Sequence, residues 1–359
     1  MTEPRSSAWL SPPGETIEEL LDERGWSKKE FATRLGCTPK HVSELLKGEA
    51  PIHADLAATL SLVLGSTPEF WLKREADYRA ARQRKEAADA LEREADWLDE
   101  LPRPWLVAEG LVPYRAHKGE QVEACLRYFG VGSVSAWRDT YAAAGVAYRT
   151  SASFGKQPGA VAAWLRRAEL AAEKVRTAPW NERAFREALP GLRALANETD
   201  PDRFVPALTD ACAAHGVAVV LVPAPPGCPA SGCTRWLKPD RAVLALSLRH
   251  RTNDNLWFTF FHEAAHLVLH SKKQAFLEGM EGLDPALEAE ADVFARDLLI
   301  PPKLAAGLLT LRSEAAVRAF AAQAGIHPGI VVGRLQHDRI LAPSHLNALK
   351  VRYRWGAEE

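Results

Sequence analysis

Residues 15–75 place apolar side chains at helical spacing in short segments that are separated by glycine-containing turns. Ser27 and Glu30 form a capping box at the start of the second segment, and Thr38 followed by Pro39 is an N-cap signal for the third. The pattern therefore predicts a bundle of short helices, with stops at Gly36, Gly48 and Gly65.

The pattern becomes mostly polar over residues 68–99, which contain no proline or glycine after Pro68 and only sparse apolar anchors such as Tyr78 and Trp97. This predicts one long helix with a largely solvated surface, either a connector with a dimer contact or an inert spacer. Residues 101–200 alternate further helical segments with short breaks and carry no catalytic motif. They predict a helical middle region that either recognises a regulator or substrate or serves only as core.

The periodicity changes again beyond Gly216. Residues 217–222 are apolar throughout and are followed by Pro223, which is typical of a short buried strand. Residues 234–237 and 241–248 predict two further strands. An extended peptide could add to the edge of such a sheet.

Two helices are predicted after the strands. Residues 256–261 are apolar nearly all round, which indicates a helix buried in a core, and Thr252, Asn253 and Asp254 offer N-cap side chains. Residues 285–301 carry apolar residues at helical spacing and predict an amphipathic helix. The predicted fold class is therefore mainly α with a small β-sheet (α+β).

The composition is that of an ordinary globular chain. Its 359 residues suggest two or three domains, and its net charge of −1 gives no global attraction to nucleic acid. No apolar run approaches membrane-spanning length, and residues 1–14 lack the core of a signal peptide. Five scattered cysteines indicate reduced thiols and a cytoplasmic location. Cys228 and Cys233 are expected to be plain thiols, with a redox or metal role for Cys233 as the alternative.

The predicted buried helix carries the sequence His262-Glu263-x-x-His266. Two histidines four residues apart on a helix point the same way, so both imidazoles can reach one metal ion. Glu263 is then placed to handle the proton of a water that the metal activates. Catalytic zinc usually takes three protein ligands and keeps one position open, so a third ligand is expected on another helix.

Glu288 and Asp292 lie four residues apart and share one face of the second helix. Glu288 is the expected third ligand, and Asp292 is expected to accept the free ring N–H of a ligand histidine. Two alternatives remain open: Glu290 as the ligand, about 200° around the helix from Glu288, or an acidic face without a metal. His270 lies a further turn along the axis, about 5–6 Å, and is expected to be structural rather than a ligand.

These residues resemble the ImmA/IrrE-type zinc metallopeptidases. The resemblance runs through His262-Glu-Ala-Ala-His266, residues 288–301 and the upstream segments 232–239 and 246–250, and it covers about residues 200–340. It implies that Zn²⁺ is held by His262, His266 and Glu288 and that Glu263 is the general base. It also implies that the substrate is a helix-turn-helix repressor.

The second and third amino-terminal helices are joined by a short turn that contains glycine, which is the arrangement of a helix-turn-helix. The third helix of such a motif enters the major groove of DNA. Residues 27–47 hold five basic and two acidic residues, a net charge of +3, so the footprint is small and binding is expected to need a dimer. The alternative is a bundle that makes only protein contacts. The expected base contacts are Lys40, His41, Ser43 and Glu44, and the expected phosphate contacts are Lys28, Lys29, Arg34 and Lys47.

Residues 14–75 resemble the lambda-repressor-like (XRE) helix-turn-helix of HigA-type antitoxins, through residues 40–48, 51–52 and 64–72. The resemblance implies sequence-specific binding to operator DNA, a homodimer and a cognate toxin as a further partner. Glu44 and Glu49 depart from the pattern of a strongly basic DNA reader.

The predicted function is a DNA-binding transcriptional regulator whose zinc endopeptidase domain cleaves a regulatory protein under stress. The substrate is either a repressor or this chain itself, cut within residues 68–110. One alternative is a HigA-like antitoxin or repressor with a structural or sensory zinc site, and another is a housekeeping peptidase whose helix-turn-helix only docks substrate. The predicted parts are a flexible tail (1–14), a helix-turn-helix domain (15–75), a linker helix (76–100), a helical middle region (101–200), a zinc metallopeptidase domain (201–345) and a carboxy-terminal tail (346–359).

Overall fold

The computed structural model describes residues 11–142, 158–270, 276–277 and 285–354. The chain divides into two compact units, one of Met1–Ala95 with His117–Val122 and the other of Asp96–Ala116 with Glu123–Glu359. The described residues are mainly helical and include one small sheet, so the predicted α+β class is confirmed.

The first unit is the predicted helical bundle. Its helices are α1 (Pro13–Arg24), α2 (Lys28–Leu35), α3 (Pro39–Leu46), α4 (Ala54–Leu64) and α5 (Pro68–Arg93). Each contributes a fully buried side chain to one apolar core, and these are Ile17, Phe31, Val42, Leu60 and Trp71. The helical spacing of the apolar positions is what brings these five side chains together.

Two of the predicted N-caps form in this unit. Ser27 accepts the backbone N–H of Glu30 at 3.2 Å, and Thr38 accepts that of His41 at 3.2 Å. The capping box at α2 is only half formed, because the Glu30 carboxylate contacts Arg34 at 2.7 Å instead of the Ser27 backbone.

Two predicted boundaries in this unit need correction. The expected tail through residue 14 overlaps α1, since Pro13 and Gly14 are buried helical residues. A Cβ on Gly14 would lie only 2.0 Å from the Leu46 carbonyl oxygen, so this glycine lets α1 and α3 approach closely. The predicted helix over residues 68–99 ends at Arg93, and residues 95–100 form a 3₁₀-helix because Trp97 and Leu98 turn inward to be buried. Residues 1–10 lie outside the described part of the chain.

Ala95 and residues 118–122 belong to the first unit, and the remainder of the helical middle region belongs to the second. The elements of this region are a 3₁₀-helix (Ala95–Glu100), α6 (Arg103–Ala108), α7 (Lys118–Phe129), α8 (Val134–Trp137) with a π-helical turn (Arg138–Ala142), α9 (Pro158–Glu173), α10 (Glu182–Leu192) with a 3₁₀-helix (Arg193–Asn197), and α11 (Pro201–Ala213). Residues 134–142 are thus divided between an α-helix and a π-helical turn, and residues 143–157 lie outside the described residues.

The remaining elements form the carboxy-terminal region. They are β1 (Val217–Leu221), β2 (Gly232–Lys238), β3 (Arg241–Leu246), α12 (Asn253–Leu269), β4 (Phe276–Leu277), α13 (Pro285–Leu299), α14 (Pro302–Ala305) with a 3₁₀-helix (Ala306–Thr310), α15 (Glu314–Ala324), α16 (Pro328–His337) and a 3₁₀-helix (Asn347–Leu349). All three predicted strands and both predicted helices are present, with boundaries shifted by a few residues.

The four strands form one sheet in the order β1-β3-β2-β4. β1 and β3 are parallel, with Val219 opposite Leu244, whereas β2 is antiparallel to β3 and β4. Alternate residues of β1 and β3 pack on opposite faces: Val219 and Leu244 join the core around α12, while Val220 and Val243 join the core around α9. Burial on both faces explains the continuous apolar runs in these strands.

Residues 346–353 are predicted to belong to a carboxy-terminal tail, but they pack against the rest of the second unit, which corrects that boundary. Tyr353 is buried in the main core, and the backbone N–H of Asn253 bonds to the Val351 carbonyl at 3.0 Å. The segment therefore closes over the start of α12. Residues 355–359 lie outside the described part of the chain.

Within the described residues, no single helix is both long and apolar enough to cross a membrane. One bent pair, Glu314–Ala324 with Pro328–His337, reaches the required length and hydropathy only when its two helices are taken together.

Candidate metal centre

Helix α12 carries His262, Glu263 and His266 of the candidate site. It packs against α13, α16 and the strands β2 and β3, and nearly all of its residues are buried. Thr252 occupies the N-cap position as predicted, but its hydroxyl accepts from the Asn255 side chain at 2.8 Å rather than from the helix backbone. Burial on every side holds α12 rigidly, which suits the positioning of catalytic side chains.

His262, His266 and Glu288 converge at one point. The Nε2 atoms of the two histidines are 3.0 Å apart, and they lie 3.2 and 3.3 Å from the two carboxylate oxygens of Glu288. Both imidazole side chains are almost fully buried, and that of Glu288 is 26% exposed. The three residues form a possible metal-binding group, with α12 supplying the histidines and α13 the carboxylate.

The donor set fits a zinc-type ion. Ligand atoms at the usual zinc distances in a tetrahedron lie about 3.3–3.4 Å from one another, close to the separations among these three side chains. Oε1 of Glu288 is buried, and within the described residues it accepts no hydrogen bond of good geometry. A buried carboxylate oxygen of this kind is stabilised by a bound cation.

The ionisation of these groups also suits a metal. Burial would raise the pKa of the Glu288 carboxyl, but the adjacent His262 and His266 imidazoles outweigh it and hold the pKa at about 2. Burial, together with the neighbouring His262 and His270, lowers the pKa of His266, and Glu288 offsets this only in part. The carboxylate is therefore charged and the imidazole neutral at neutral pH, which are the forms that bind metal ions.

Asp292 lies behind the His262 ring. Its Oδ1 lies 2.9 Å from Nδ1 of His262, so it accepts the hydrogen on that nitrogen and leaves Nε2 facing Glu288. The carboxylate is half exposed. A carboxylate behind a metal-binding histidine fixes the ring orientation and raises the basicity of the ligand nitrogen.

Glu263 lies against the start of β2 and is fully buried. Thr234 on β2 donates its hydroxyl to the backbone carbonyl of Glu263 at 3.1 Å. Gly232, at the start of β2, makes room for the carboxylate, because a Cβ there would lie 2.8 Å from Oε1 of Glu263. The first residues of β2 therefore shape the space around the candidate base.

His270 folds back onto the histidine pair. Its Nδ1 lies 2.8 Å from Nδ1 of His266, and its Nε2 lies 3.4 Å from Glu290. Glu290, the alternative third ligand, thus contacts His270 and not the converging atoms of His262, His266 and Glu288.

A cavity of about 170 Å³ borders the metal centre. Phe258 and Asp292 line it, and both also contact His262, since the Phe258 ring lies 6.1 Å from the His262 ring. Arg296 lines the same cavity. His327 accepts the N–H of Gly329 as a helix cap.

The cysteines take no part in the centre. All five are free thiols, and Cys228 and Cys233 are buried in the core on the other face of the sheet. Burial raises the pKa of the Cys233 thiol well above its usual range. A protonated, enclosed thiol favours the interpretation of Cys233 as a plain core residue.

The predicted DNA-contacting side chains lie on the surface of the first unit. Lys28, Lys29, Lys40 and Lys47 are exposed, and His41, Ser43 and Glu44 are partly exposed. Acidic partners neutralise several of them: Lys28 binds Glu18 at 2.7 Å, Arg34 binds Glu30 at 2.7 Å, and Glu44 lies 3.7 Å from Lys40 and 4.0 Å from His41. In the described part of the chain, Lys29 and Lys47 form no ion pair.

Comparison with known families agrees with this division. Residues 17–72 match the helix-turn-helix family, and residues 215–335 match the IrrE N-terminal-like domain, a metallopeptidase family. The chain carries a helix-turn-helix domain and an IrrE-type peptidase-like domain. The second match contains His262, Glu263, His266 and Glu288.

A curated relative matches part of the chain. Over 60 residues it is 43% identical to an uncharacterized HTH-type transcriptional regulator, YddM, of Escherichia coli. The match covers 17% of this chain and spans 64% of the length of that regulator. The identity therefore extends over little more than one small domain.

Sequence reasoning missed two contacts of the site. The i+4 spacing of His270 after His266 was a visible signal, because side chains four residues apart on a helix are neighbours. Gly232 gave no signal, because its contact with Glu263 depends on how β2 packs against α12.

Proposed function

We propose that this chain is a transcriptional regulator that binds operator DNA, most simply as a homodimer, and cleaves a regulatory protein with a zinc-dependent endopeptidase site. The observation that carries the proposal is the convergence of His262 and His266 of α12 with Glu288 of α13, next to the buried Glu263 of α12. The free thiols are consistent with a cytoplasmic protein.

The catalytic roles follow from this arrangement. Zinc held by His262, His266 and Glu288 would supply a Lewis acid that polarises a peptide carbonyl and acidifies the attacking water. Glu263 accepts the proton of that water and returns it to the leaving amine. Asp292 keeps the hydrogen of His262 on Nδ1, which leaves Nε2 available as a ligand atom.

Substitution of Glu263 tests the proposal. Because general acid–base catalysis contributes roughly 10²–10⁴-fold, Glu263→Gln should lower the cleavage of a helix-turn-helix repressor or a casein-type substrate by that factor. Zinc content and operator binding should remain. Glu187→Gln, at an exposed glutamate of α10, is the matched control and should cleave normally.

The same variant separates the competing functions. If wild type and Glu263→Gln bind zinc and operator equally and neither cuts any protein, the antitoxin or repressor with a structural zinc site is the correct function. If cleavage is robust but no salt-dependent, sequence-preferring DNA binding is found, the helix-turn-helix only docks substrate.

The chain itself is one proposed substrate. Helix α5 is cut poorly while helical, because peptidases bind extended chain, yet residues 82–90 are all exposed. Such a segment opens locally at low free-energy cost. A cut there would release helices α1–α4 from the peptidase domain.

A substitution that destabilises helix α5 tests self-cleavage directly. Arg84→Pro removes a backbone donor in the exposed part of α5 and costs the helix about 3 kcal/mol, so it should accelerate zinc-dependent fragmentation. Arg84→Ala is the control and should be cut at the wild-type rate. Intact-mass measurement locates the cut. If the proline variant stays whole under conditions in which a separate repressor is cleaved, the substrate is another protein.

A further inference from the structure

His270 lies behind the second metal-binding histidine. The two Nδ1 atoms of His266 and His270 are 2.8 Å apart, which is hydrogen-bond distance. The side chain of His270 is 2% exposed, so water does not compete for this contact. On its far side, Nε2 of His270 lies 3.4 Å from a carboxylate oxygen of Glu290, which is 62% exposed.

The end of α12 explains how His270 reaches this position. His270 is the C-cap, and its backbone is extended, with φ −115° and ψ 167°. The side chain lies four residues after His266, the spacing at which helical side chains are neighbours, and it contacts the His266 ring. Its nitrogen meets the ring on the side opposite Nε2, so His270 approaches from behind the ligand and not from the metal side.

The proton positions in this chain of contacts follow from one another. Nε2 of His266 faces Glu288 and the other ligand histidine, so a metal-binding His266 carries its hydrogen on Nδ1. That hydrogen can bond to His270 only if Nδ1 of His270 is an acceptor. The hydrogen of neutral His270 is then on Nε2, where Glu290 accepts it.

We propose that His270 is a positioning residue of the metal centre: it accepts the Nδ1–H of His266 and thereby fixes the orientation and tautomer of that ligand. Glu290 fixes the tautomer of His270 in turn. The proposal rests on the proposed function of His262, His266 and Glu288 as metal ligands.

The two ligand histidines then have different supports. Asp292, a carboxylate, accepts from His262, while a neutral imidazole accepts from His266. A carboxylate acceptor increases ligand basicity more than a neutral nitrogen does. On the His266 side the negative charge belongs to Glu290. Glu290 contacts His270 and acts on His266 only through the His270 ring.

Metal affinity tests the proposal. In the full-length protein, His270→Phe removes the acceptor and should weaken Zn²⁺ binding by roughly 10–100-fold in a chelator competition. His270→Asn keeps an acceptor oxygen near the position of Nδ1 and should stay within about threefold of wild type. Equal losses in both variants, or no loss in His270→Phe, would overturn the proposal.

Spectroscopic readouts separate positioning from general stability. The visible spectrum of bound Co²⁺ should change in His270→Phe and be restored in His270→Asn. In wild type, ¹⁵N NMR should show His266 protonated at Nδ1 and His270 protonated at Nε2. Protonation of neutral His270 at Nδ1 instead would overturn the assignment, even if the phenylalanine variant fails to fold.

Glu290 is the last residue in this chain of contacts, and its role has a separate test. Glu290→Gln removes an exposed charge and should reduce Zn²⁺ affinity by no more than about threefold, whereas Glu187→Gln should leave it unchanged. These measurements need no peptide cleavage. A wild-type protein that binds zinc with the predicted tautomers but cuts nothing would leave this proposal standing while the proposed peptidase function fails.

Discussion

The candidate metal centre and the predicted DNA-contacting surface differ in how their charged groups are held. At the metal centre, His262 and His266 are buried, and each imidazole has a partner on both nitrogens within 3.3 Å. On the helix-turn-helix, Lys28 and Lys40 are exposed and have acidic neighbours that water screens.

The difference sets how each region should respond to substitution. Removing one partner of a buried polar pair leaves the other without a hydrogen bond, so the loss of metal affinity or of stability is large. Removing one exposed charge takes away one of several weak, screened interactions, so the loss of DNA affinity is small. Four predictions test this contrast, from the largest expected effect to the smallest.

The largest effect is expected at the carboxylate of the metal centre. Glu288→Ala should weaken Zn²⁺ binding by at least about a hundredfold, since loss of a ligand exceeds the 10–100-fold loss typical of an outer partner. Chelator competition measures the affinity, and operator binding should not change. Glu290→Ala, on the same helix, is the control. A larger loss there than at Glu288 would make Glu290 the third ligand.

The contact of β2 with α12 should be nearly as sensitive. Gly232→Ala places a Cβ 2.6 Å from Thr259 and 2.7 Å from Glu263, and this overpacking should destabilise the second unit by about 1–3 kcal/mol. Denaturant unfolding measures the change. Gly191→Ala, whose Cβ meets nothing within 4 Å, should cost nothing or stabilise α10 by up to about 1 kcal/mol. Equal effects of the two substitutions would show that β2 is not tightly packed on α12.

A buried polar contact away from the metal should give a smaller, pH-dependent effect. Burial and the nearby Arg318 lower the pKa of His327, whose neutral ring caps α16 and contacts Asn253 at 2.9 Å. The unfolded chain therefore binds a proton more readily. This contribution to stability is complete above the ordinary histidine pKa and is lost as the pH falls through the lowered folded value.

The substitution His327→Asn tests this predicted dependence of stability on pH. Asparagine is a good N-cap, so stability at pH 8 should stay within about 1 kcal/mol of wild type, while the decline between pH 7 and 5 should become shallower. Thermal unfolding across this range measures it. An unchanged slope would assign the pH dependence to other groups.

The smallest effect is expected on the predicted DNA-contacting surface. Lys47→Ala should weaken binding to any duplex by a few-fold and reduce the slope of log affinity against log salt by about 1. Lys73→Ala, which removes an exposed lysine of α5 that pairs with Asp77, is the control and should have no effect. A hundredfold loss for Lys47→Ala would show that this surface is as tightly specified as the metal centre.

Much of the fold was predictable because its signals are local. Helical spacing located α1–α4, α12 and α13, and uninterrupted apolar runs located β1 and β3. The boundaries that failed depend on packing between distant segments. Pro13 is helical because α1 packs on α3, and residues 346–353 are ordered because Tyr353 enters the main core.

The sequence by itself determined which residues could share a helical face: His262 with His266, and Glu288 with Asp292. That follows from the fixed pitch of the α-helix, which needs no information from the rest of the chain. Only the tertiary structure decided that the two faces meet, that Gly232 admits the Glu263 carboxylate, and that His270 contacts Glu290 of α13. Those relations depend on how α13 and β2 pack against α12, and no local spacing encodes them.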